Sequence, residues 1–240
     1  MMGSDMHSLF GARRTRRRLL HFSVSVCVVL AAGFVGTTAA AAAAADASAP
    51  QPAGGARELI VVGDSLSAEY GLARGNGWAS LLRDRLAAEK PAWTVLNASI
   101  SGDTTAGGLA RLPALLKQHP RIVIIELGGN DALRGTGIPE VRHNLDAMAT
   151  MAAAAGAKVL IAGIQVPPNY GRQYNADFAQ MYVDVAAAHK AALVPFLLKG
   201  VADRPDSQDW FQADGIHPVA KAHPIILDNV WPALKPLLKP

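Results

Sequence analysis

Residues 122–131 read Ile-Val-Ile-Ile-Glu-Leu-Gly-Gly-Asn-Asp, a run of β-branched residues that ends in two glycines and two polar side chains. Continuous Val/Ile runs are typical of strands that are covered on both faces. Four similar apolar runs occur elsewhere, and segments of helical periodicity alternate with them. The predicted strands are 58–62, 93–98, 122–127, 159–164 and 192–196, and the predicted helices are about 78–89, 105–119, 139–155, 174–190 and 219–238. This alternation predicts one α/β domain with a five-stranded parallel sheet and helices on both sides.

Candidate functional residues follow the first three predicted strands. Ser65 lies just after the first strand, within Gly-Asp-Ser-Leu-Ser (63–67), Gly102 lies after the second strand, and Asn130 lies after the third. Ligands of open parallel sheets bind outside the carboxyl ends of the strands. The topology is therefore expected to gather Ser65, Gly102 and Asn130 at one edge of the sheet.

Ser65 has a candidate base far away in the sequence. A serine hydroxyl is a poor nucleophile until an adjacent base removes its proton. Asp214 and His217 are three residues apart in Asp-Gly-Ile-His-Pro (214–218), a spacing that lets the carboxylate accept the Nδ1 hydrogen and leaves Nε2 free as general base. The alternative is that Ser65 and Asp214 cap helices and that His217 is a surface histidine. The segment is not a Gly-x-Ser-x-Gly elbow, and Asp64 is expected to be a turn or hydrogen-bonding residue rather than the triad acid.

Gly102 and Asn130 have the chemistry of an oxyanion hole, in which donors stabilise the negative charge that develops on a carbonyl oxygen. Gly102 can bring its N–H close because it has no side chain, Asn130 offers an amide donor, and Ser65 adds its own backbone N–H. Taken singly, Gly102 could be a turn glycine and Asn130 a helix cap.

The first 47 residues have the pattern of a cleaved secretory signal. Five arginines between Arg13 and Arg18 precede an apolar stretch at 19–35 and an alanine-rich tract at 39–47. A membrane anchor is the alternative, but the stretch is near the lower length limit for a span and no stop-transfer charges follow it. Residues 48–57 are predicted to be a flexible lead-in, and residues 58–240 the folded domain. The arginines also resemble a twin-arginine signal, so the export route stays open, and the predicted location is periplasmic or secreted.

Charge and cysteine content exclude several classes of function. The whole chain carries a net charge of +4 from 23 basic and 19 acidic residues, but five of the arginines lie in the predicted signal, and no basic stripe remains to bind nucleic acid. The single cysteine, Cys27, also lies there, so the mature chain is expected to use no disulfide. The predicted mature sequence has no cysteine ligands and no His-x-Glu-x-His cluster, so no metal site is predicted. No cofactor is expected.

Five blocks of sequence together resemble the SGNH (GDSL-type) hydrolases, in particular the bacterial thioesterase I, lysophospholipase and arylesterase branch. The blocks are 63–67, 97–105, 126–131, 167–171 and 214–218. The resemblance implies a flavodoxin-like three-layer α/β/α sandwich. It also implies that Ser65 is the nucleophile, His217 the base and Asp214 its orienting acid, with an oxyanion hole formed by Ser65, Gly102 and Asn130. The match fades at Glu69 and between Leu198 and Trp210.

The sequence therefore predicts an exported serine esterase that hydrolyses small-molecule acyl esters, thioesters or lysophospholipids through an acyl-enzyme. A carbohydrate or peptidoglycan O-acetyl esterase is the enzymatic alternative, since it uses the same groups on a sugar acetate. An inactive flavodoxin-like binding module is the alternative outside enzymes. The sequence leaves the oligomeric state and the acyl-chain length open.

Overall fold

A computed structural model describes residues 57–239 of the chain. The predicted signal at 1–47 and nearly all of the predicted lead-in at 48–57 lie outside the described residues. Between Arg57 and Lys239, the structure contains no helix whose length and apolar character would let it cross a membrane.

Five parallel strands form one sheet, as the sequence predicts. They are β1 (Arg57–Gly63), β2 (Trp93–Asn97), β3 (Ile122–Glu126), β4 (Lys158–Ala162) and β5 (Ala192–Val194), in the spatial order β2-β1-β3-β4-β5. This is the flavodoxin-like strand order, in which the chain reverses direction across the sheet between β1 and β3. The strands on either side of that reversal are the two that precede Ser65 and Asn130.

Between residues 57 and 239, six α-helices accompany the sheet. They are α1 (Trp78–Glu89), α2 (Thr105–Leu116), α3 (Gly129–Leu133), α4 (Ile138–Ala154), α5 (Arg172–Ala188) and α6 (His223–Leu234). The helices α2, α4 and α5 pack beside one another, and α1 packs against α6. The two groups cover opposite faces, because the crossover through α1 leads from β1 to β2, the crossover through α2 leads from β2 back past β1 to β3, and right-handed crossovers that run in opposite directions lie on opposite faces. The three-layer α/β/α architecture is thereby confirmed.

The central strands form the core. Leu59–Val62 of β1 and Ile122–Ile125 of β3 are fully buried, which agrees with their continuous apolar sequence. Each such side chain contributes about 1.5–3 kcal/mol by its burial. Several bounds differ from the sequence prediction. The strand predicted at 159–164 ends at Ala162, and of the helix predicted at 219–238 only His223–Leu234 is α-helical, between two short 3₁₀ helices. The strand β5 ends at Val194, directly before Pro195, which has no N–H for a ladder. The short helix α3 was not predicted, because five residues are too few to show a helical period.

Candidate active site

Ser65 lies in a tight turn directly after β1. The Asp64 carbonyl accepts hydrogen bonds from the backbone N–H groups of Ser67 and Ala68, at 3.2 and 2.9 Å. The Asp64 side chain accepts another from the Leu66 N–H at 3.0 Å. Ser65 does not cap the following helix, because α1 begins only at Trp78. The turn therefore presents the Ser65 hydroxyl at the carboxyl edge of the sheet.

Ser65, His217 and Asp214 form a continuous chain of hydrogen bonds. His217 Nε2 lies 2.8 Å from Ser65 Oγ, and His217 Nδ1 lies 2.7 Å from Asp214 Oδ2. The other carboxylate oxygen of Asp214 accepts from the backbone N–H groups of Ile216 and His217, at 2.9 and 3.0 Å. These bonds, the one from the His217 side chain first, lower the pKa of Asp214 to about 2. Asp214 therefore stays ionised at neutral pH, and it lies in a loop rather than at the start of α6.

Gln212 ties the loop of His217 to the loop of Ser65. Its backbone N–H donates to the His217 carbonyl at 2.7 Å, and its side-chain amide donates to the carbonyls of Tyr70 and Pro218, at 2.8 and 3.2 Å. The Tyr70 ring lies against the His217 imidazole, with 4.3 Å between ring centroids. Gly71, at a φ of +70°, leaves the space that the Gln212 amide occupies. Sequence reasoning missed Gln212, because a single glutamine in a loop carries no pattern.

Asn130 lies in the first turn of α3, and its side chain contacts the segment of Ser65. Asn130 Nδ2 donates to Asp64 Oδ2 at 2.9 Å. Gly128, not Asn130, is the N-cap residue of α3, so Asn130 is not a cap. One amide hydrogen is used by Asp64, and a primary amide carries a second hydrogen that is available to another acceptor.

A buried pair of carboxyl groups lies beneath this contact. Asp64 and Glu126 are both buried, and Glu126 Oε2 accepts from Ser67 Oγ at 2.6 Å. Burial raises the pKa of Asp64 to about 6, against the lowering effect of the bonds from Leu66 and Asn130. Burial, with the nearby charge of Asp64, raises the pKa of Glu126 well above its usual range. Burial and the closeness of the two carboxyl groups therefore disfavour the state in which both are ionised. A glutamate inside an apolar strand was the one sequence signal for this pair.

Gly102 lies in the loop that follows β2, and this loop runs beside the end of β1. The Ile100 N–H donates to the Gly63 carbonyl at 3.0 Å, and the Asp103 N–H donates to the Ile100 carbonyl at 3.0 Å. Gly102 has a φ of +79°, a conformation that L-residues with side chains rarely adopt. Its carbonyl accepts from Arg134 Nη2 at 2.8 Å, just beyond α3. The structure thus brings the segments of Ser65, Gly102 and Asn130 to one edge, as the strand ends predict.

A cavity of about 1040 Å³ opens beside the Ser65–His217 pair. Its lining includes Leu66 and Ile216, the neighbours of Ser65 and His217 in the chain. Most of its surface is apolar. Its polar lining residues are Gln165, Arg172, Asn175, Asp203, Ser207, Gln208 and Gln212. The larger apolar residues of the lining are Leu66, Leu133, Ile164, Val166, Phe196, Leu198, Phe211 and Ile216.

Comparison with known proteins finds similarity to esterases, thioesterases and acylhydrolases. The model of the GDSL-like Lipase/Acylhydrolase family matches residues 61–225. Esterase TesA of Pseudomonas aeruginosa is 57% identical over 184 residues, which cover 76% of this chain and 90% of that protein. Thioesterase 1/protease 1/lysophospholipase L1 of Escherichia coli K12 is 44% identical over 187 residues, 78% of this chain and 87% of that protein. The crystal structure of the psychrotrophic esterase EstA from Pseudoalteromonas sp., inhibited by monoethylphosphonate, is similar at a TM-score of 0.70 and 39% identity. That match covers 76% of this chain and 98% of the EstA chain.

Proposed function

Because the chain belongs to the GDSL-like lipase/acylhydrolase family and is an esterase, we propose that it is exported and that it hydrolyses acyl esters and thioesters through a Ser65–His217–Asp214 triad. The observation that carries the proposal is the unbroken chain of hydrogen bonds from Ser65 through His217 to Asp214, next to an apolar cavity. The N-terminal signal pattern supports a periplasmic or secreted location.

In the acylation step, Ser65 Oγ attacks the acyl carbon and its proton passes to His217 Nε2. The Asp214 carboxylate accepts the Nδ1 hydrogen, which fixes the tautomer and stabilises the imidazolium that forms. His217 then gives the proton to the leaving alcohol or thiol, and the acyl group stays bound to Ser65. Water, deprotonated by the same imidazole, attacks the acyl-enzyme and releases the carboxylic acid.

Three donors stabilise the oxyanion of each tetrahedral intermediate. They are the backbone N–H groups of Ser65 and Gly102 and the second amide hydrogen of Asn130. The bond from Asn130 to Asp64 supports this role, because it fixes the orientation of the amide before substrate binds. Donors that are held in place beforehand need no reorganisation as charge develops, and this makes them effective.

The cavity supports medium or long acyl chains as the favoured substrates. Its volume of about 1040 Å³ is at the upper end of the roughly 300–1,000 Å³ that is usual for ligand sites. An acetyl group would leave most of this space unused, and the surface that the cavity exposes is mainly apolar. The carbohydrate or peptidoglycan O-acetyl esterase therefore remains the weaker candidate.

The proposal is tested by hydrolysis rates on p-nitrophenyl esters from acetate to palmitate, with acyl-CoA and lysophospholipid alongside. We expect kcat/KM to rise from acetate to medium chains, since each buried methylene adds about 0.8 kcal/mol of binding. Activity confined to acetate would instead favour the O-acetyl esterase.

The triad is tested with Ser65→Ala, His217→Ala and the double variant. Each single variant should lose most of the activity, and the double variant should be little worse, because residues that act as one proton-transfer unit are strongly non-additive. Losses that multiply would contradict the triad. A fluorophosphonate probe that fails to label the wild-type protein would favour a binding module over an enzyme.

A further inference from the structure

Arg111, on α2, donates to two backbone carbonyls and one carboxylate at the carboxyl edge of the sheet. Its Nη2 donates to the Gly63 carbonyl at 3.2 Å, and its Nη1 donates to the Ala98 carbonyl. Its Nε donates to Asp103 Oδ2 at 2.8 Å. One guanidinium group thus makes hydrogen bonds with the end of β1 and with both ends of the loop that follows β2.

The partners of Arg111 lie next to two proposed oxyanion donors. Gly63 is two residues before Ser65, and Asp103 directly follows Gly102. A guanidinium is planar, and its donors point in fixed directions. Arg111 thus joins Gly63 to the 98–103 loop, in addition to the bond from the Ile100 N–H to the Gly63 carbonyl.

The helix α2 is adapted to this ion pair. The side chains of Arg111 and Asp103 are only 19% and 12% exposed, and Asp103 Oδ1 also accepts from the Thr104 N–H at 3.0 Å. A Cβ at Gly107 would overlap the Asp103 carboxylate. A helix with glycine in its interior is less stable than one with alanine by roughly 0.5–1 kcal/mol. The space that Gly107 leaves for the Asp103 carboxylate is a physical reason for a glycine at this position.

We propose that Arg111 is a positioning residue for the oxyanion hole, and that Asp103 and Gly107 hold its guanidinium in place. Arg111 does not touch the substrate in this role. It acts through the backbone of Gly63 and of the 98–103 loop, so its effect falls on the transition state rather than on substrate binding. This inference rests on the proposed function, since it assumes that the backbone N–H groups of Ser65 and Gly102 bind the oxyanion.

The test compares Arg111→Met and Arg111→Lys with Arg85→Met as a matched control. Arg85 is also half-buried, pairs with Glu89 at 3.0 Å and lies over the Trp231 ring, on the helices α1 and α6. For each variant we would measure kcat and KM on p-nitrophenyl butyrate, the melting temperature, and the inhibition constant of butylboronic acid. That acid forms a tetrahedral adduct with the nucleophile.

We expect Arg111→Met to lower kcat by roughly 10- to 100-fold, because a misplacement of about 1 Å can cost about 100-fold, while KM stays within about threefold. Binding of butylboronic acid should weaken by a similar factor. Arg111→Lys should recover little, since a single ammonium cannot replace the fork of donors. Arg85→Met should lower the melting temperature and leave kcat unchanged.

A second variant, Gly107→Ala, tests the same idea without touching the charges. Alanine favours the helix, yet we expect kcat to fall because its Cβ displaces the Asp103 carboxylate. This variant also keeps the proposal falsifiable if Arg111→Met does not fold. Two results would overturn the proposal, provided that Ser65→Ala is inactive. One is a normal kcat in both Gly107→Ala and Arg111→Lys. The other is a loss of activity in Arg111→Met that lies wholly in KM. An active Ser65→Ala would instead overturn the proposed function itself.

Discussion

Exchanging the residues at positions 64 and 130 separates the catalytic role of Asn130 from its structural role. The single substitution Asn130→Asp removes the proposed oxyanion donor, but it also sets a second carboxylate against Asp64, because Asn130 Nδ2 is 2.9 Å from Asp64 Oδ2. On sequence grounds the change is mild, since Asp and Asn are equally good near a helix N-terminus. The contact with buried Asp64 makes it costly.

The cost in stability can be bounded from the pKa of Asp64. Two carboxylates in contact relieve their repulsion by binding one proton. At pH 7.5, protonating a group whose pKa is about 6 costs about 2 kcal/mol. The free energy of unfolding of Asn130→Asp should therefore fall by at most about 2 kcal/mol, which corresponds to roughly 4–8 °C in melting temperature for a domain of this size. The loss should shrink as the pH is lowered to 6.

The double variant Asp64→Asn/Asn130→Asp restores the hydrogen bond between positions 64 and 130, with the donor and the acceptor exchanged. The new amide at position 64 donates to the new carboxylate at position 130, and its oxygen can still accept from the Leu66 N–H. Stability should therefore recover in large part. Activity should not recover, because position 130 still lacks a donor, and loss of one oxyanion donor costs about 10²–10³ in kcat.

The assay is kcat on a p-nitrophenyl ester together with thermal melts of the wild type, the single variant and the double variant at pH 6 and pH 7.5. We expect kcat to fall at least about 100-fold in both variants, with the melting temperature lowered only in the single variant. A double variant that regains wild-type turnover would refute the oxyanion role of Asn130. A single variant with an unchanged melting temperature would refute the electrostatic reasoning about Asp64.

Three other predictions concern stability, positioning and processing. Burial lowers the pKa of His223, whose Nδ1 accepts from the Trp78 N–H at 3.0 Å. Below about pH 6.5 the unfolded chain therefore binds more protons at this position than the folded protein does, so the free energy of unfolding falls as the pH drops. Between pH 7 and pH 5, the melting temperature of His223→Gln should fall less than that of the wild type. Gln212→Ala should lower kcat about tenfold, because the loop of His217 is no longer tied to Tyr70; unchanged turnover would show that the tie is dispensable. The exported protein should begin between residues 40 and 56, and N-terminal sequencing that starts at Met1 would contradict the cleaved signal.

The sheet was predictable from the sequence because its strands are short, apolar and separated by helical periods. Ile122–Ile125 alone indicates a strand buried on both faces. The order of the strands and the reversal between β1 and β3 were not predictable from periodicity, which reports the exposure of a segment but not its neighbours. The short helix α3 was not predictable from periodicity either, since five residues cannot display a period of 3.6.

The site was predictable to the extent that it follows from strand ends. Ser65, Gly102 and Asn130 share one edge of the sheet because parallel strands direct their carboxyl ends to the same side. The residues that hold this edge together were not predictable. Gln212 and Arg111 bond to segments that lie far away in the sequence as well as to nearby residues, and a glutamine or an arginine at such a position is not distinguished by its neighbours in the chain. Asp64 was expected to be a turn or hydrogen-bonding residue, and the structure confirms this, but its partner Asn130 was not foreseen.

The polar groups beneath the active site explain how loops can hold reacting atoms in place. Apolar burial fixes the sheet, but it is non-directional, so it does not determine where a loop at the end of a strand points. Directional bonds join the segment after β1 both to the end of β3, as from Ser67 to Glu126, and to the segment after β3, as between Asn130 and Asp64. Two such bonds restrict rotation as well as separation. Burying the carboxyl groups of Asp64 and Glu126 lowers the stability of the fold. Such costly groups persist where the surrounding structure is stable enough to hold them in place. We therefore expect Glu126→Gln, which stays neutral and keeps a bond to Ser67, to preserve kcat, whereas Glu126→Leu should lower it although the core becomes more apolar.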